Sequence, residues 1–309
     1  MRKAGPLILI FALITSGCFG GAAAPERQRQ ANTPQVQDLR EKGRQTLIRG
    51  DVERAGLTFE DARRLAESLD DRPGLAGALK DLGTVAALKG DNTKATEFYC
   101  RAHAIALEWG DHSLGPDCLS YRAQVAHLMG DHPAALSHYS QALIVSRQIK
   151  DRRGEAVVLN NMGLLQQAQG ELDKAEKSFR QALSINTDLA ERQSMASNFS
   201  NLGALSEKRD RRAEARNYYE QALVLDKETE NRPSIEADLV NLGRISEAEK
   251  RFEEALGYYD RAYRGYLALN LRPKAIEVVK RLIRLTKAVG QETVAVAYQA
   301  ELDLLSAKP

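Results

Sequence analysis

Small and aromatic residues recur along the chain with a fixed period of 40 residues. One position of every period is alanine, at residues 55, 95, 135, 175, 215, 255 and 295. An aromatic residue follows four positions after each of the first six alanines, and another alanine follows three positions later. In the fourth period these residues are Ala175, Phe179 and Ala182, and a spacing of i, i+4 and i+7 places them on one face of an α-helix. The pattern therefore predicts one buried helical face in every period.

A second helix is predicted before each of these helices. Around Gly163, the residues Leu159, Met162 and Gln166 have helical spacing, and a small residue occupies the Gly163 position in six periods. Glycines between the two helices are typical of helix C-caps and turns, and they lie at residues 50, 90, 130, 170 and 290. Each period thus predicts a hairpin of two helices, A and B, with the aromatic residue filling the seam between them. Because one hairpin cannot bury both of its faces, successive hairpins are expected to stack into a superhelix.

This pattern resembles the tetratricopeptide repeat (TPR) family, in particular the 40-residue variety of kinesin light chains and LGN-type scaffolds, which residues 156–170 resemble most. The resemblance covers residues 36–309 and implies an all-α fold, a right-handed α-solenoid of about seven TPR hairpins. The last period carries Ile283, Gln299 and Leu302 in place of the small, aromatic and alanine residues, as expected of a terminal repeat without a successor. The predicted repeats are 36–75, 76–115, 116–155, 156–195, 196–235 and 236–275, followed by a capping repeat at 276–309.

The N-terminus has the pattern of an export signal. Arg2 and Lys3 precede the apolar run of residues 7–14, which is too short to span a bilayer, and small residues then lead to Cys18. This arrangement resembles the lipobox of bacterial lipoproteins and implies that residues 1–18 form a lipoprotein-type signal peptide, with Cys18 as the lipidated residue. An ordinary signal peptide, cleaved near residues 22–24, is the alternative.

Residues 19–35 contain almost no bulky apolar side chains and are predicted to be a flexible tether. Phe19, rather than Asp, follows the cysteine, and by resemblance to the lipoprotein sorting rule of enteric bacteria this favours the outer membrane. The expected location is therefore the bacterial cell envelope, with a lipid anchor as the only membrane contact and the repeats facing the periplasm.

The composition argues against several classes of function. The formal net charge of +2 includes Arg2 and Lys3, so that the chain without its signal is close to neutral, and nucleic acid is not an expected partner. Motifs for nucleophilic, phosphate-binding or paired-carboxylate chemistry are missing, so we expect no enzyme activity and no cofactor. Five histidines fall between residues 103 and 138, but no His-x-x-x-His pair occurs, and we expect no metal site.

Cys100 and Cys118 flank a predicted helix turn centred near residue 112. Cys118 would then lie level with about residue 106, and an offset of about 9 Å follows from the helical rise. This distance exceeds the usual limit of about 7 Å between the Cα atoms of a disulfide. The sequence therefore predicts two separate thiols.

Arginine recurs between the predicted repeats, at residues 72, 152, 192, 232 and 272. We expect these arginines in the loops between repeats. They would either form a basic ridge or pair with neighbouring acids and with carbonyl groups at helix ends, and the second interpretation is favoured.

The position two residues before the small residue of helix A holds Asn161, Asn201 and Asn241 in three successive repeats. An asparagine amide offers a donor and an acceptor together, which matches the backbone of an extended peptide. In TPR proteins of the kinesin light chain and LGN type, such an Asn holds the backbone of a bound peptide in the concave groove, and the resemblance implies the same role here. The alternative is that these residues stabilise helix A or the contact between repeats. Further predicted groove residues are Asn160, Ser200, Gln124, Gln167, Glu207, Arg244 and Glu247.

These expectations combine into one function. The chain is predicted to be a membrane-tethered TPR scaffold that binds an extended segment of a partner envelope protein in its concave groove and serves the assembly or regulation of an envelope complex. The alternative is a regulatory receptor for a small secreted peptide.

Overall fold

The computed structural model of the protein describes residues 33–110 and 114–307, and in this part of the chain it contains fourteen α-helices and no strand. The helices are α1 (Pro34–Ile48), α2 (Val52–Ser68), α3 (Arg72–Leu88), α4 (Asn92–Glu108), α5 (Gly115–Leu128), α6 (His132–Gln148), α7 (Arg152–Ala168), α8 (Leu172–Asp188), α9 (Arg192–Lys208), α10 (Arg212–Glu228), α11 (Arg232–Ala248), α12 (Phe252–Ala268), α13 (Arg272–Ala288) and α14 (Glu292–Ala307). Odd-numbered helices correspond to helix A of a repeat and even-numbered helices to helix B. The prediction of an all-α repeat fold is confirmed.

The helices form two compact units, which are described separately. The first unit contains α1–α7 and ends at residue 169, and the second contains α8–α14. The second unit has one continuous apolar core, in which Tyr219, Tyr259 and Leu282 are fully buried. The core of the first unit consists of smaller clusters, each built around one or two repeats.

Glycines terminate several helices, as the sequence predicts. Gly50, Gly90, Gly130, Gly170 and Gly290 all have φ between 78° and 86°, a conformation that glycine adopts without steric cost. The equivalent position after α11 is Lys250, which has φ of 60°. An aspartate then caps several of the following helices: the Asp51, Asp91 and Asp131 carboxylates accept a hydrogen bond from a backbone N–H in the first turn of α2, α4 and α6.

The seam between helix A and helix B depends on a small residue opposite an aromatic ring. A Cβ atom added to Gly203 would lie 2.8 Å from the Tyr219 ring, and one added to Gly83 would lie at the same distance from the Tyr99 ring. Both rings are buried. The predicted packing of small and aromatic residues is therefore confirmed inside both units.

The arginines expected between repeats lie elsewhere. Arg72, Arg152, Arg192, Arg232 and Arg272 are each the first residue of a helix A, because the connections between repeats are shorter than the sequence suggested. Two of these side chains show the pairing directly, since Arg72 Nε donates to Asp70 at 3.0 Å and Arg272 donates to the Leu305 carbonyl. These contacts agree with the favoured interpretation, in which the arginines pair with neighbouring acids and carbonyl groups.

The first and last helices, α1 and α14, lie at the two ends of the described chain. Helix α1 begins at Pro34, inside the segment predicted as a tether, whereas Cys18 and the predicted signal lie outside the described residues. At the other end, α14 buries only Ala295 among its described side chains, and Tyr298 is held by a hydrogen bond of 2.9 Å to Asp260. Within residues 33–110 and 114–307, no helix is long and apolar enough to cross a membrane.

Candidate functional site

Asn201 and Asn241 occupy equivalent positions on two successive helices A of the second unit, α9 and α11. Both side chains are half-buried. Asn201 already has a polar partner in the structure, whereas no described residue forms a hydrogen bond with the Asn241 amide. The Asn241 amide is thus available to a ligand.

Acidic and basic side chains next to these asparagines are bound to one another. Glu207 accepts hydrogen bonds from the Tyr219 hydroxyl, at 3.1 Å, and from Arg244. One repeat later, Glu247 accepts from the Tyr259 hydroxyl at 2.9 Å and from Arg284 at 2.5 Å. Each glutamate therefore connects helix B of its own repeat with helix A of the next.

This network affects the ionisation of its members. Burial is the largest single effect on Arg244 and opposes its positive charge, but Glu207, Tyr219 and Tyr259 together outweigh burial and raise the Arg244 pKa. Burial is also the main reason for the raised pKa of the Tyr219 and Tyr259 hydroxyls, and the adjacent glutamates add to it. The Tyr219 and Tyr259 hydroxyls therefore remain protonated donors and Arg244 remains charged throughout the physiological range, so that the hydrogen bonds to Glu207 and Glu247 persist.

Ser200, another predicted groove residue, instead belongs to a buried polar cluster. Its hydroxyl donates to Asp238 Oδ1 at 2.8 Å, and Asp238 and Asp226 are 2% and 3% exposed. Burial raises the pKa of Asp238 to about 8 and that of Asp226 to about 6. No described residue donates to Asp238 Oδ2. The protonated Asp238 can therefore donate to the Asp226 carboxylate, which also accepts from Asn231 at 3.1 Å.

The remaining predicted groove residues belong to the first unit. Asn161, Asn160 and Gln167 on α7 are only 7%, 8% and 9% exposed, and Gln124 on α5 is half-buried. Asn160 and Gln167 have polar partners. These three residues of α7 are thus less accessible than Asn201 and Asn241.

The sequence interpretation missed the contribution of α13. Arg284 occupies the Arg244 position one repeat later, so the 40-residue period itself was the signal that could have identified it. Lys280 and Arg284 are exposed, while Arg281, which occupies the position of Asn241, is half-buried and pairs with Glu277 at 3.6 Å. Helix α13 therefore carries three basic residues at the positions that follow the Asn241 region by one repeat.

The predicted separation of Cys100 and Cys118 is wrong. Their sulfur atoms lie 3.4 Å apart, and both cysteines are free thiols. Helix α5 begins only at Gly115, which packs against His103, and Tyr99 stacks on Tyr121. The midpoints of these three residue pairs in the sequence are 109, 109 and 110. The hairpin of α4 and α5 is therefore centred near residue 109 and not near residue 112.

Two of the histidines, His127 and His132, lie in contact with each other. His127 Nδ1 and His132 Nδ1 are 3.3 Å apart, while His112 lies outside the described residues. The described part of the chain contains no group of three or more His, Cys, Asp or Glu residues arranged to hold a metal ion.

Comparison with known proteins agrees with this architecture. A model of the tetratricopeptide repeat family matches residues 118–188 and 194–268. No curated protein sequence matches the chain.

Several solved structures are similar to the chain. BtubC (BKLC) from P. vanneervenii is 23% identical, with a TM-score of 0.57 over 77% of this chain and 93% of that one. PilF of Pseudomonas aeruginosa is 21% identical, with a TM-score of 0.57 over 76% and 93% of the two chains. A Rap protein complexed with the competence and sporulation factor is 12% identical, with a TM-score of 0.56 over 88% and 97%. At these identities the similarity concerns the fold.

The helix pairs, the buried aromatic seams and the matched segments all indicate the same family. Folds of this kind generally act as frameworks for protein–protein interaction rather than as catalysts, because stacked helix pairs create extended binding surfaces. Residues 118–188 and 194–268 are tetratricopeptide repeats, and the chain has the stacked helix-pair fold of tetratricopeptide repeat proteins.

Proposed function

We propose that the protein is a membrane-tethered scaffold that binds an extended segment of a partner envelope protein along the helices A of its second unit. The observation that carries this proposal is the Asn241 amide, which lacks a partner among the described residues and lies in register with Asn201 one repeat earlier. Binding of such a segment would serve the assembly or the regulation of an envelope complex.

An extended peptide fits this surface chemically. Its backbone offers N–H and C=O groups in alternation, and the Asn241 amide can donate to one and accept from the other. The Glu207–Arg244 and Glu247–Arg284 ion pairs hold the surrounding side chains in place before a ligand arrives. A surface that is already ordered loses less conformational entropy on binding, and this favours affinity.

The charge of α13 selects among possible segments. Lys280, Arg281 and Arg284 lie on this helix, where Glu277 offsets Arg281 and Glu247 offsets Arg284. We infer that the bound segment carries acidic residues at the end that reaches α13. Affinity should then fall as ionic strength rises, because salt screens exposed charges.

The tether rests on the N-terminal pattern of Arg2, Lys3, the apolar run and Cys18. Metabolic labelling with an alkyne fatty acid tests this part of the proposal. Wild-type protein should incorporate the label and fractionate with membranes, and Cys18→Ser should do neither. Equal export without any label in the wild type would instead support the ordinary signal peptide.

A receptor for a small secreted peptide is the second candidate. It is favoured by the similarity in fold to the Rap protein that was solved with its competence and sporulation factor. A ligand-dependent change in the radius of gyration, measured by small-angle scattering, would support this regulatory role, whereas an unchanged radius supports a plain scaffold.

Two matched asparagine variants test the binding surface. Once a partner is identified, its affinity should fall about tenfold for Asn241→Ala, which corresponds to the loss of one hydrogen bond of about 1.4 kcal/mol. Asn217→Ala is the control. Asn217 is an exposed asparagine on α10, the helix B that precedes α11, and among the described residues it is hydrogen-bonded to Gln221. Equal affinities for both variants and the wild type would refute the assignment of the site.

A further inference from the structure

Two thiols from different repeats meet inside the first unit. Cys100 on α4 and Cys118 on α5 have their sulfur atoms 3.4 Å apart. Cys118 is only 4% exposed, whereas Cys100 is half-buried. The stacked rings of Tyr99 and Tyr121, with centroids 4.3 Å apart, lie beside the pair and keep the two helices in register.

We propose that Cys100 and Cys118 are a site of oxidative modification, at which a disulfide-bearing oxidant converts the two thiols into an intramolecular disulfide. A disulfide requires its sulfur atoms to be about 2.05 Å apart, so that the pair must close by little more than 1 Å. Side-chain rotation covers this distance. The link would join helix B of the second repeat to helix A of the third.

The reaction takes place in two exchange steps. The more accessible Cys100 thiolate attacks one sulfur of the external disulfide, which forms a mixed disulfide and releases the first thiolate of the oxidant. Cys118, after losing its proton to solvent, then attacks Cys100 Sγ and releases the second thiolate. Two protein thiols are thus oxidised with loss of two protons, and the external disulfide is reduced to two thiols.

Burial of Cys118 determines the order of these steps. It raises the pKa of the Cys118 thiol to about 12, so that Cys118 is rarely a thiolate near neutral pH and attacks slowly. Cys118 is therefore the resolving thiol and not the first nucleophile.

The link would reinforce the start of helix α5, which no described side chain caps. Helix α3 and helix α7 begin after Asp71 and Asp151, whose carboxylates accept a backbone N–H of the first turn. Helix α5 follows Leu114, which offers no such group. A disulfide that closes the turn between α4 and α5 would restrict the unfolded chain and thereby stabilise this junction. Structural disulfides form in oxidising compartments, which agrees with the proposed export.

Redox titration of the full chain tests the proposal. A Cys18→Ser background leaves two thiols, and the protein is equilibrated with reduced and oxidised glutathione, quenched by alkylation and digested with trypsin. Cleavage at Lys94, Arg101 and Arg122 gives peptides 95–101 and 102–122, which remain joined only when the disulfide is present. The joined pair should be the main oxidised species.

Equilibration in guanidinium distinguishes a disulfide that the fold favours from one that merely forms in any flexible chain. The equilibrium constant for the link should be about 100-fold larger in native buffer than in denaturant, since the stabilisation expected of a loop of this size corresponds to roughly that factor. Equal constants in the two conditions would overturn the proposal. Stable glutathione adducts on Cys100 with a freely alkylated Cys118 would overturn it as well.

Discussion

Replacement of Asp238 by Asn should make the second unit more stable at alkaline pH and leave it unchanged in acid. Asp238 is 2% exposed and lies against Asp226, which is 3% exposed. The pair has a neutral counterpart one repeat earlier, where the Asn186 side chain donates to Asn198 at 2.6 Å. The Asp238→Asn side chain can donate to Asp226 at every pH, whereas Asp238 itself can do so only while it is protonated.

The magnitude follows from the proton affinities. Burial raises the pKa of Asp238 from 3.8 to about 8, so the folded state binds the proton more tightly than the unfolded state. The stabilisation from this proton is complete below pH 3.8 and is lost as pH rises through about 8. Each pH unit in this range lowers the free energy of unfolding by about 1.4 kcal/mol per proton. The upper limit of the loss between pH 5 and 8 is therefore about 4 kcal/mol. Entry of water beside the ionised carboxylate lowers this loss, and we expect about 2 kcal/mol.

Urea unfolding at several pH values between 4.5 and 8.5 measures the effect. Hydrogen exchange of the amides in α10 and α11 is followed in parallel, because repeat arrays need not unfold as one unit. Stability of the wild type relative to Asp238→Asn should fall steadily as pH rises from 4.5 to 8.5. The double variant Asp226→Asn, Asp238→Asn, which reproduces the Asn186–Asn198 pair, should in addition lose the pH dependence that Asp226 contributes as pH rises through about 6. A constant difference between wild type and Asp238→Asn across the whole range would refute the reasoning.

Two further predictions concern the backbone and the seam. Gly203→Val should destabilise the second unit by about 1–3 kcal/mol, because even a Cβ atom at this position lies 2.8 Å from the Tyr219 ring; Gly257→Val, where nothing lies within 4 Å, is the control and should cause no loss in urea unfolding. Lys250→Gly should stabilise the turn after α11 by about 0.5–1 kcal/mol, since Lys250 has φ of 60°. An unchanged or lower urea midpoint for Lys250→Gly would show that this turn is not strained.

The repeat fold could be predicted because its determinants are local and periodic. Ala175, Phe179 and Gly203 belong to columns that recur every 40 residues, and helical periodicity converts such columns directly into buried faces. Positive φ at Gly170 follows from the same reasoning, since glycine tolerates this conformation at a helix end.

Contacts between side chains of successive helices were harder to foresee. The Cys100–Cys118 contact depends on a late start of α5 at Gly115, which changes the pairing of two helices without altering the 40-residue period. The Asp226–Asp238 pair is also invisible to hydrophobic patterning, although both residues stand 40 positions after the Asn186–Asn198 pair.

The candidate binding site was predicted in part. Asn201 and Asn241 stood out because asparagine is an unusual choice inside a helix. The two residues differ in the structure, since the Asn201 side chain has a polar partner and the Asn241 side chain lacks one among the described residues. The ion pairs of Glu207 and Glu247 with the arginines of the next repeat could not be derived from spacing along a single helix, because they join side chains 37 residues apart.

Site-specific photo-crosslinking in the cell envelope tests the central claim most directly. A photoreactive amino acid is placed at position 241 on helix A of one repeat, and at Asn217 on helix B as the matched control. The account predicts that position 241 crosslinks to an extended, acidic segment of one envelope protein, that position 201 captures the same segment, and that position 217 does not. Capture of the same segment at position 217 but not at position 241 would contradict binding along the helices A.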